Sequence, residues 1–430
     1  MKVLVLGAAV SGRAAARLAH ARGSEVTIYD RRSAAVEPLR RIGEVISGDW
    51  EKAALHDVDL VVTSPGFPEH VGPIPDVMSV GIPLVSEMEY AVGILESRYA
   101  AVTGTNGKTT VTSVAAEMLV ASGVDAAAAG NIGTALSDIV LDPPGVIVIE
   151  ASSFQLRFID QFHPSAAAIL NIAPDHLDWH HGMSEYVAAK QRIFENQTTE
   201  DILVYDADDA GAATAVMTAR ARRIPVSGHR IPDGGYGPEG TQLLIEAGAM
   251  KRPDLDPAYT MDLVAAATIA DHLGATLDGI AATVESFMPG THRRSVVGTW
   301  AGVTWVNDSK ATNPHAALAS VAAFSSVVLI AGGRNKGLDL APITAAPSIR
   351  KIIGIGEAAV ELEAVSDPAD YQDAADLAEA ISIANSIAVP GDTVLLAPGC
   401  ASFDMFESYE DRGEEFGRLV RLIKGDGNGK

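Results

Sequence analysis

Gly104-Thr105-Asn106-Gly107-Lys108-Thr109-Thr110 is the stretch whose reading decides the fold. It stands directly after a short apolar run, 100–103, and directly before an alanine-rich helical pattern. In that setting glycines let backbone N–H groups close around a phosphate, and the following helix N-terminus adds a favourable dipole. Lys108 then reaches the terminal phosphates, and the Thr109 hydroxyl suits a magnesium ion. The general phosphate loop asks for another glycine at position 102, where this chain has Val102, so the loop reads as a shortened one. The plainer alternative is a tight strand-to-helix turn with an exposed lysine.

Outward from this loop, short β-branched runs alternate with helical stretches along the whole chain. Residues 3–6, 25–29 and 60–63 read as strands of a first unit, and 100–103, 146–150, 166–171 and 202–205 as strands of a second. A third takes 303–307, 326–331, 351–354 and 393–396. Strands interleaved with helices imply parallel sheets with helical crossovers. The expected fold class is α/β in three domains. They are an N-terminal Rossmann-like unit (1–92), a central P-loop ATPase-like unit with a mostly parallel sheet (93–289) and a C-terminal Rossmann-like unit (290–430). The second boundary is drawn at Met288-Pro289-Gly290, where proline and glycine interrupt a helical pattern. The Gly- and Pro-rich segment 229–257 has no assignable structure, and the tail 424–430 reads as disordered.

Composition narrows the function classes. With 430 residues, 47% hydrophobic and 20% charged, the chain reads as a soluble multidomain globular protein. A net charge of −23 argues against nucleic acid or an anionic membrane as partner, since both are negative. The same charge means that an anionic nucleotide needs local cations to bind. The single cysteine, Cys400, fits a reducing cytoplasm. The apolar start ends by Val10 and runs into Ser11-Gly12-Arg13, which suits a buried strand entering a helix better than a signal peptide.

Further motifs stand at strand ends. Gly7-Ala8-Ala9-Val10-Ser11-Gly12 is a weak relative of the dinucleotide fingerprint, and Asp30 closes the second strand. An NAD site, another nucleotide site and a plain tight turn all remain open there. Glu150, ending an apolar strand, suits a divalent cation bound with ATP phosphates. Asn171-Ile172-Ala173-Pro174-Asp175-His176-Leu177-Asp178-Trp179-His180-His181 carries three histidines, a pattern that raises zinc, although its surroundings favour a harder ion with one histidine as ligand. Lys190, inside a helical pattern, reads by itself as a surface lysine. Three polar loops in the third unit, 307–313, 332–337 and 398–404, suggest a second binding face.

Taken together and in this order, the motifs from Met1 to about Leu422 resemble the Mur ligases, and within them the D-glutamate-adding branch. The 104–109 loop alone marks only the wider superfamily. The branch rests on Gly130-Asn131-Ile132-Gly133, the 150–155 stretch, Asp175-His176-Leu177-Asp178, and 307–313. It also rests on 400–404 with 409–416. The resemblance implies an ATP-dependent amide-forming ligase that joins D-glutamate to UDP-N-acetylmuramoyl-L-alanine through an acyl phosphate, giving ADP and phosphate, in cell-wall precursor synthesis. It implies Val10, Ser11, Asp30, Arg32 and Asn131 at the UDP-sugar. It places Gly104, Thr105, Asn106, Gly107, Lys108, Thr109, Thr110, Asp262, His292, Arg293, Asp308 and Lys310 at ATP. Thr312, Lys336, Ser402, Phe403 and Tyr409 fall at the incoming amino acid. Thr109, Glu150, His176 and Lys190, the last as a carbamate, become ligands of two Mg²⁺ ions, and Lys108, Lys190, His176, Glu150 and Lys310 the catalytic set. A cytoplasmic monomer acting on small molecules is expected.

One stretch departs from the family pattern. Where the family carries Gly-x-His-Asn-x-x-Asn before an alanine-rich helix, this chain has Asp256-Pro257-Ala258-Tyr259-Thr260-Met261-Asp262. Only Asp262 keeps a comparable polar group, which puts ATP placement in question. Alternatives are a ligase for another amino acid such as L-glutamate, a non-catalytic nucleotide-binding homologue, and an NAD-dependent oxidoreductase. The last leaves the 104–110 loop unexplained.

Overall fold

The computed structural model describes residues 1–70 and 72–425. They fall into two compact units, Met1–Ile172 with Trp179–Phe287, and Ala173–Asp178 with Met288–Lys430. The first unit holds two parallel sheets and a small antiparallel one.

The first sheet contains β1 (Lys2–Leu6), β2 (Glu25–Asp30), β3 (Glu44–Ser47), β4 (Leu60–Thr63) and β5 (Leu84–Ser86) in the order β3-β2-β1-β4-β5. All its pairings are parallel. Val3 to Leu6 are fully buried, as a central strand covered on both faces requires. The chain winds outward from β1 in one direction and from β4 in the other, so their carboxyl ends frame a crevice. The helix Val10–Ala21 packs on β1 through its alanines and Leu18. A Cβ on Gly12 would sit 1.9 Å from the Gly7 carbonyl oxygen, so close helix–strand packing by itself demands glycine there.

The second sheet contains β6 (Arg98–Thr103), β7 (Ala126–Gly130), β8 (Val146–Glu150), β9 (Ala166–Ile169), β10 (Ile202–Asp206) and β11 (Arg222–Val226), ordered β11-β10-β9-β6-β8-β7. Its switch point lies at β6, between β9 and β8, and the 104–110 loop leaves from there. The unassigned segment 229–257 contributes β12 (Gly237–Glu239), β13 (Gln242–Ile245) and β14 (Gly248–Lys251), an antiparallel sheet of very short strands. Helix Pro257–His272 is apolar nearly all round and nearly all buried, as such a helix must be. The Asp256 carboxylate starts it by accepting from Ala258 N at 2.9 Å.

The second unit is built on β15 (Ser295–Trp300), β16 (Val303–Asn307), β17 (Val327–Gly332), β18 (Ile349–Ile355), β19 (Tyr371–Asp373) and β20 (Thr393–Gly399), ordered β15-β16-β20-β17-β18-β19. Only β15 is antiparallel. The loops after β16, β17 and β20, the three central strands, therefore leave the same edge side by side. Lys424 is the last residue of helix Tyr409–Lys424, not part of a disordered tail, and 426–430 lie outside the described residues. Among the described residues, no helix is long and apolar enough to cross a membrane.

Candidate active site

The phosphate loop is held from below by Asn171, at the end of the neighbouring strand β9. Thr105 N donates to Asn171 O at 2.9 Å, Asn106 N to Asn171 Oδ1 at 2.8 Å, and Asn171 Nδ2 returns a bond to Asn106 O. Gly107, at φ +84°, opens helix Lys108–Ala121. A Cβ there would lie 2.6 Å from Asp262 Oδ1 and 3.0 Å from Leu170 Cδ1, so the loop hugs both and needs glycine. Asp262, on the first turns of helix Pro257–His272, is thus a carboxylate directly beside the loop. Thr109 and Thr110 are half-buried on the first turn of the loop's helix.

Two lysines meet at the start of this loop. Lys108 Nζ folds back to Gly104 O and Thr105 O, each at 3.0 Å. Lys190 Nζ donates to the same Gly104 O at 2.7 Å, lies 3.4 Å from Thr103 Oγ1 and sits over the Tyr186 ring at 4.6 Å. Its relative exposure is 1%, so the surface-lysine reading of that helix is corrected: one of its faces packs under the loop. Tyr186, on the same helix, bonds Thr105 Oγ1 at 2.9 Å.

Glu150 ends β8 beside β6, buried. Its Oε1 accepts from Asn131 Nδ2 at 3.0 Å, and its backbone carbonyl accepts from Asn131 N at 2.9 Å. Its Oε2 is buried without a hydrogen-bond partner. Such an oxygen costs about 1–3 kcal/mol unless something completes it, and a hard divalent ion is what a carboxylate in this position fits. The histidines of the 171–181 stretch have separate partners. Among the described residues no three His, Cys, Asp or Glu side chains gather around a common point. His180 bonds Ser153 Oγ at 2.8 Å and stacks on Phe154, while His181 packs edge-on against His70.

At the crevice of the first sheet, Val10 is exposed and Ser11 half-buried at the start of their helix. Asp30 is buried and engaged with its own chain, accepting from Ala8 N and Arg32 N at 3.0 Å and from Arg32 Nε at 3.2 Å. Burial pushes its carboxyl up, but the bonds from Arg32 and Ala8 outweigh it and hold the group below the usual carboxylate range. A groove of about 450 Å³ opens here, bordered by Ala8, Val10, Arg13, Arg17 and Arg32. Arg17 on its rim is paired with Asp138, while Arg13 and Arg32 stand on the groove as cations of the kind an anionic nucleotide would need against a net charge of −23.

In the second unit the three edge loops are pinned by one residue, Arg412, on the first turn of helix Tyr409–Lys424. Its guanidinium is buried and donates to Ser309 Oγ and Ser309 O, both at 2.9 Å, and to Cys400 O at 3.3 Å. A Cβ on Gly333 would come within 3.2 Å of its Nη1, so the third loop rests on it as well. Burial pulls the Arg412 pKa down to about 10, which leaves it charged at neutral pH. Neither Arg412 nor Asn171 was singled out from the sequence. Their signal was only that each lies within a polar motif, and what they bind is mostly backbone.

The remaining candidates of this unit cluster around those loops. Lys310 Nζ lies 3.7 Å over the Tyr409 ring, and Lys310 N donates to His292 O at 3.1 Å. His292, at φ +59°, has Nδ1 within 3.0 Å of Asn307 Nδ2. Burial pushes the Asp308 carboxyl up, against the pull of Arg294 and Arg293. Lys336 binds the buried Asp175 at 2.9 Å, and Asn313 Nδ2 reaches the same carboxylate at 3.1 Å. Burial raises the Asp175 pKa, yet Lys336 and then His176 overcome it and the group lies below its ordinary value. His176, at φ +53°, follows it in the Ala173–Asp178 segment. Thr312 N closes a turn on Lys310 O, Ser402 is buried, and Phe403 is 66% exposed on the 399–404 loop.

Comparison with known proteins bears on the family and the fold. Three family profiles match in sequence: "Mur ligase MurD-like, N-terminal domain" over residues 1–86, "Mur ligase middle domain" over 102–229, and "Mur ligase, glutamate ligase domain" over 292–400. A UDP-N-acetylmuramoylalanine–D-glutamate ligase of Frankia casuarinae is 40% identical, covering 99% of this chain and 95% of its own. A protein of the same name from Desulfitobacterium hafniense is 37% identical over 98% of this chain and 97% of its own. Among solved structures, a pseudomurein peptide ligase type C from Methanothermus fervidus superposes with TM-score 0.62 at 18% identity over 98% of this chain and 99% of its own. The MurF ligase of Thermotoga maritima in complex with ADP gives 0.60 at 14% over 93% and 94%. At such identities the structures speak for the fold alone, but the full-length relatives go further: the chain belongs to the Mur ligase family, in the group of UDP-N-acetylmuramoylalanine–D-glutamate ligases.

Proposed function

We propose that this protein joins D-glutamate to UDP-N-acetylmuramoyl-L-alanine at the expense of ATP, giving the dipeptidyl product, ADP and phosphate for peptidoglycan precursor synthesis. The observation that carries this reading is the 104–110 loop, with Lys108 and Lys190 both donating to Gly104 O beneath the first turn of its helix. ATP phosphates bind on the loop's N–H groups and the helix N-terminus, and Lys108 swings from its own loop carbonyls onto the terminal phosphates. The substrate's alanyl carboxylate attacks the γ-phosphorus as the bond to ADP breaks. The D-glutamate amine then attacks the acyl carbon and phosphate leaves.

Each charged residue has a task in that sequence. Lys108, and Lys310 at the nucleotide contacts of His292, Arg293 and Asp308, offset the repulsion between a carboxylate and a polyphosphate. Mg²⁺, when bound, neutralises phosphate charge and orients the transferred group. Glu150 offers it the unpartnered Oε2 and Thr109 its hydroxyl. Lys190 would contribute only as a carbamate, which replaces an ammonium donor by an anionic acceptor, and His176 is assigned by the family resemblance alone. Val10, Ser11, Asp30, Arg32 and Asn131 take the UDP-sugar, and Thr312, Lys336, Ser402, Phe403 and Tyr409 the amino acid. The reading is tested by Lys108→Ala, which should abolish ADP formation while thermal unfolding stays unchanged. A folded variant with near-wild-type turnover sinks the phosphate-loop assignment.

A further inference from the structure

The short helix Leu136–Ile139 has no counterpart among the motifs above, yet it is fastened from two sides. It follows directly on the 130–135 loop, which Asn131 ties to Glu150 and which Gly130 N closes onto Thr134 O at 3.2 Å. From one side the buried Glu87 accepts from Ser137 N at 2.6 Å. From the other, Arg17 grips Asp138 with both Nε and Nη2, at 3.0, 2.8 and 2.6 Å. Arg17 belongs to helix Val10–Ala21, whose start is locked by the Gly12–Gly7 approach, and it borders the arginine-lined groove of the first sheet. One four-residue helix therefore spans from the nucleotide groove on the first sheet to the Asn131 loop on the second.

We propose that Arg17 and Asp138 are positioning residues for the UDP-sugar: their bidentate pair, opposed by Glu87, makes this helix a strut that fixes the Asn131 loop at a set distance from the groove. The inference rests on the functional reading above, in which the nucleotide lies in the groove and the sugar at Asn131. Bidentate guanidinium–carboxylate geometry is directional as well as attractive, so the pair sets an orientation that a single contact does not. Both partners are partly exposed, with side-chain exposures of 45% and 29%, so breaking the pair leaves the core untouched. A rigid link of this kind lowers the ordering cost when one ligand must engage both loops, and contributes nothing to a ligand engaging only the groove.

The test compares the intact substrate with the nucleotide alone, in the full-length enzyme. Arg17→Glu and Asp138→Arg, each made singly, should raise the KM for UDP-N-acetylmuramoyl-L-alanine three- to fivefold, the range of a partly exposed bidentate pair. The Kd for UDP and the KM values for ATP and D-glutamate should stay within twofold. The double variant Arg17→Glu/Asp138→Arg, which restores the pair with reversed polarity, should bring the UDP-sugar KM back to within twofold of wild type. Glu87→Gln, which keeps an acceptor for Ser137 N, should leave that KM unchanged. Single variants with unaltered UDP-sugar KM overturn the proposal. So does a UDP affinity that falls in step, since Arg17 would then touch the nucleotide itself. Wild-type enzyme that does not bind the UDP-sugar refutes the functional reading instead, whatever the variants do.

Discussion

At the residue scale, the position of Asp262 has a consequence. Its carboxylate stands where a Cβ on Gly107 would collide with it, beside the loop whose N–H groups are proposed to bind the ATP phosphates. A negative charge next to a polyphosphate site is repulsive, and at about 4 Å it costs about 1 kcal/mol even under the screening of bulk water, roughly fivefold in affinity. Asp262→Asn keeps the shape and removes the charge. Steady-state kinetics should show its ATP KM falling by about that factor, with the UDP-sugar KM unchanged; an ATP KM that rises would mean the carboxylate helps to hold the nucleotide. The catalytic candidates on this scale were legible because glycine, lysine and acid stood at strand ends in a set order. Lys190 was not legible from spacing, because burial under the loop depends on how its helix docks. Asn171 and Arg412 escaped notice because their work is to satisfy backbone groups, which leaves no charge pattern in the sequence.

At the scale of elements, the strut helix supplies a pH-dependent prediction. Glu87 is fully enclosed at the end of β5, and burial raises its pKa from an ordinary 4.5 to about 7. The fold thus prefers the protonated acid. Its contribution to stability is complete below the unfolded value and is lost as pH rises through about 7. Glu87→Gln cannot ionise, so at pH 8 it should be more stable than wild type by up to about 3 kcal/mol, with the gap closing by pH 5. Thermal unfolding at the two pH values measures this, and a difference that does not change with pH contradicts it. Strands were read well wherever β-branched residues dominate: β4, β8 and β16 begin and end where the apolar runs do. The strand β7, Ala126–Gly130, is four alanines and a glycine, with no local preference for strand, and forms because β8 lies beside it. The sheet of β12, β13 and β14 is made of three- and four-residue strands among glycines and prolines, too short for an alternating pattern to show. The antiparallel β15 escaped for a related reason, since none of its residues is fully buried.

At the scale of the whole molecule, the α/β class and the alternation of strand and helix were legible because a parallel sheet needs a crossover after almost every strand. Contact between residues distributes the chain differently from sequence motifs: the first two parallel sheets share one compact unit, and Ala173–Asp178 is grouped with the residues from Met288 onward. Nothing in a linear reading signals that the aspartate of that segment pairs with Lys336, 161 positions away. The excess of acid over base, net −23, sets the terms for every substrate, since each is an anion approaching an anionic protein. Arg13 and Arg32 of the first groove, with Lys108, Lys310 and Lys336, are the cations proposed to answer that field. The central claim, a ligase that consumes ATP only when its two other substrates are present, is tested most directly by phosphate release. Purified protein with ATP, Mg²⁺ and UDP-N-acetylmuramoyl-L-alanine would be compared with D-glutamate, with L-glutamate and with no amino acid. Phosphate released with D-glutamate alone, together with a product heavier by one glutamyl residue, is the predicted result. Release that is equal in all three reactions, or absent from all three while ATP still binds, would contradict the account.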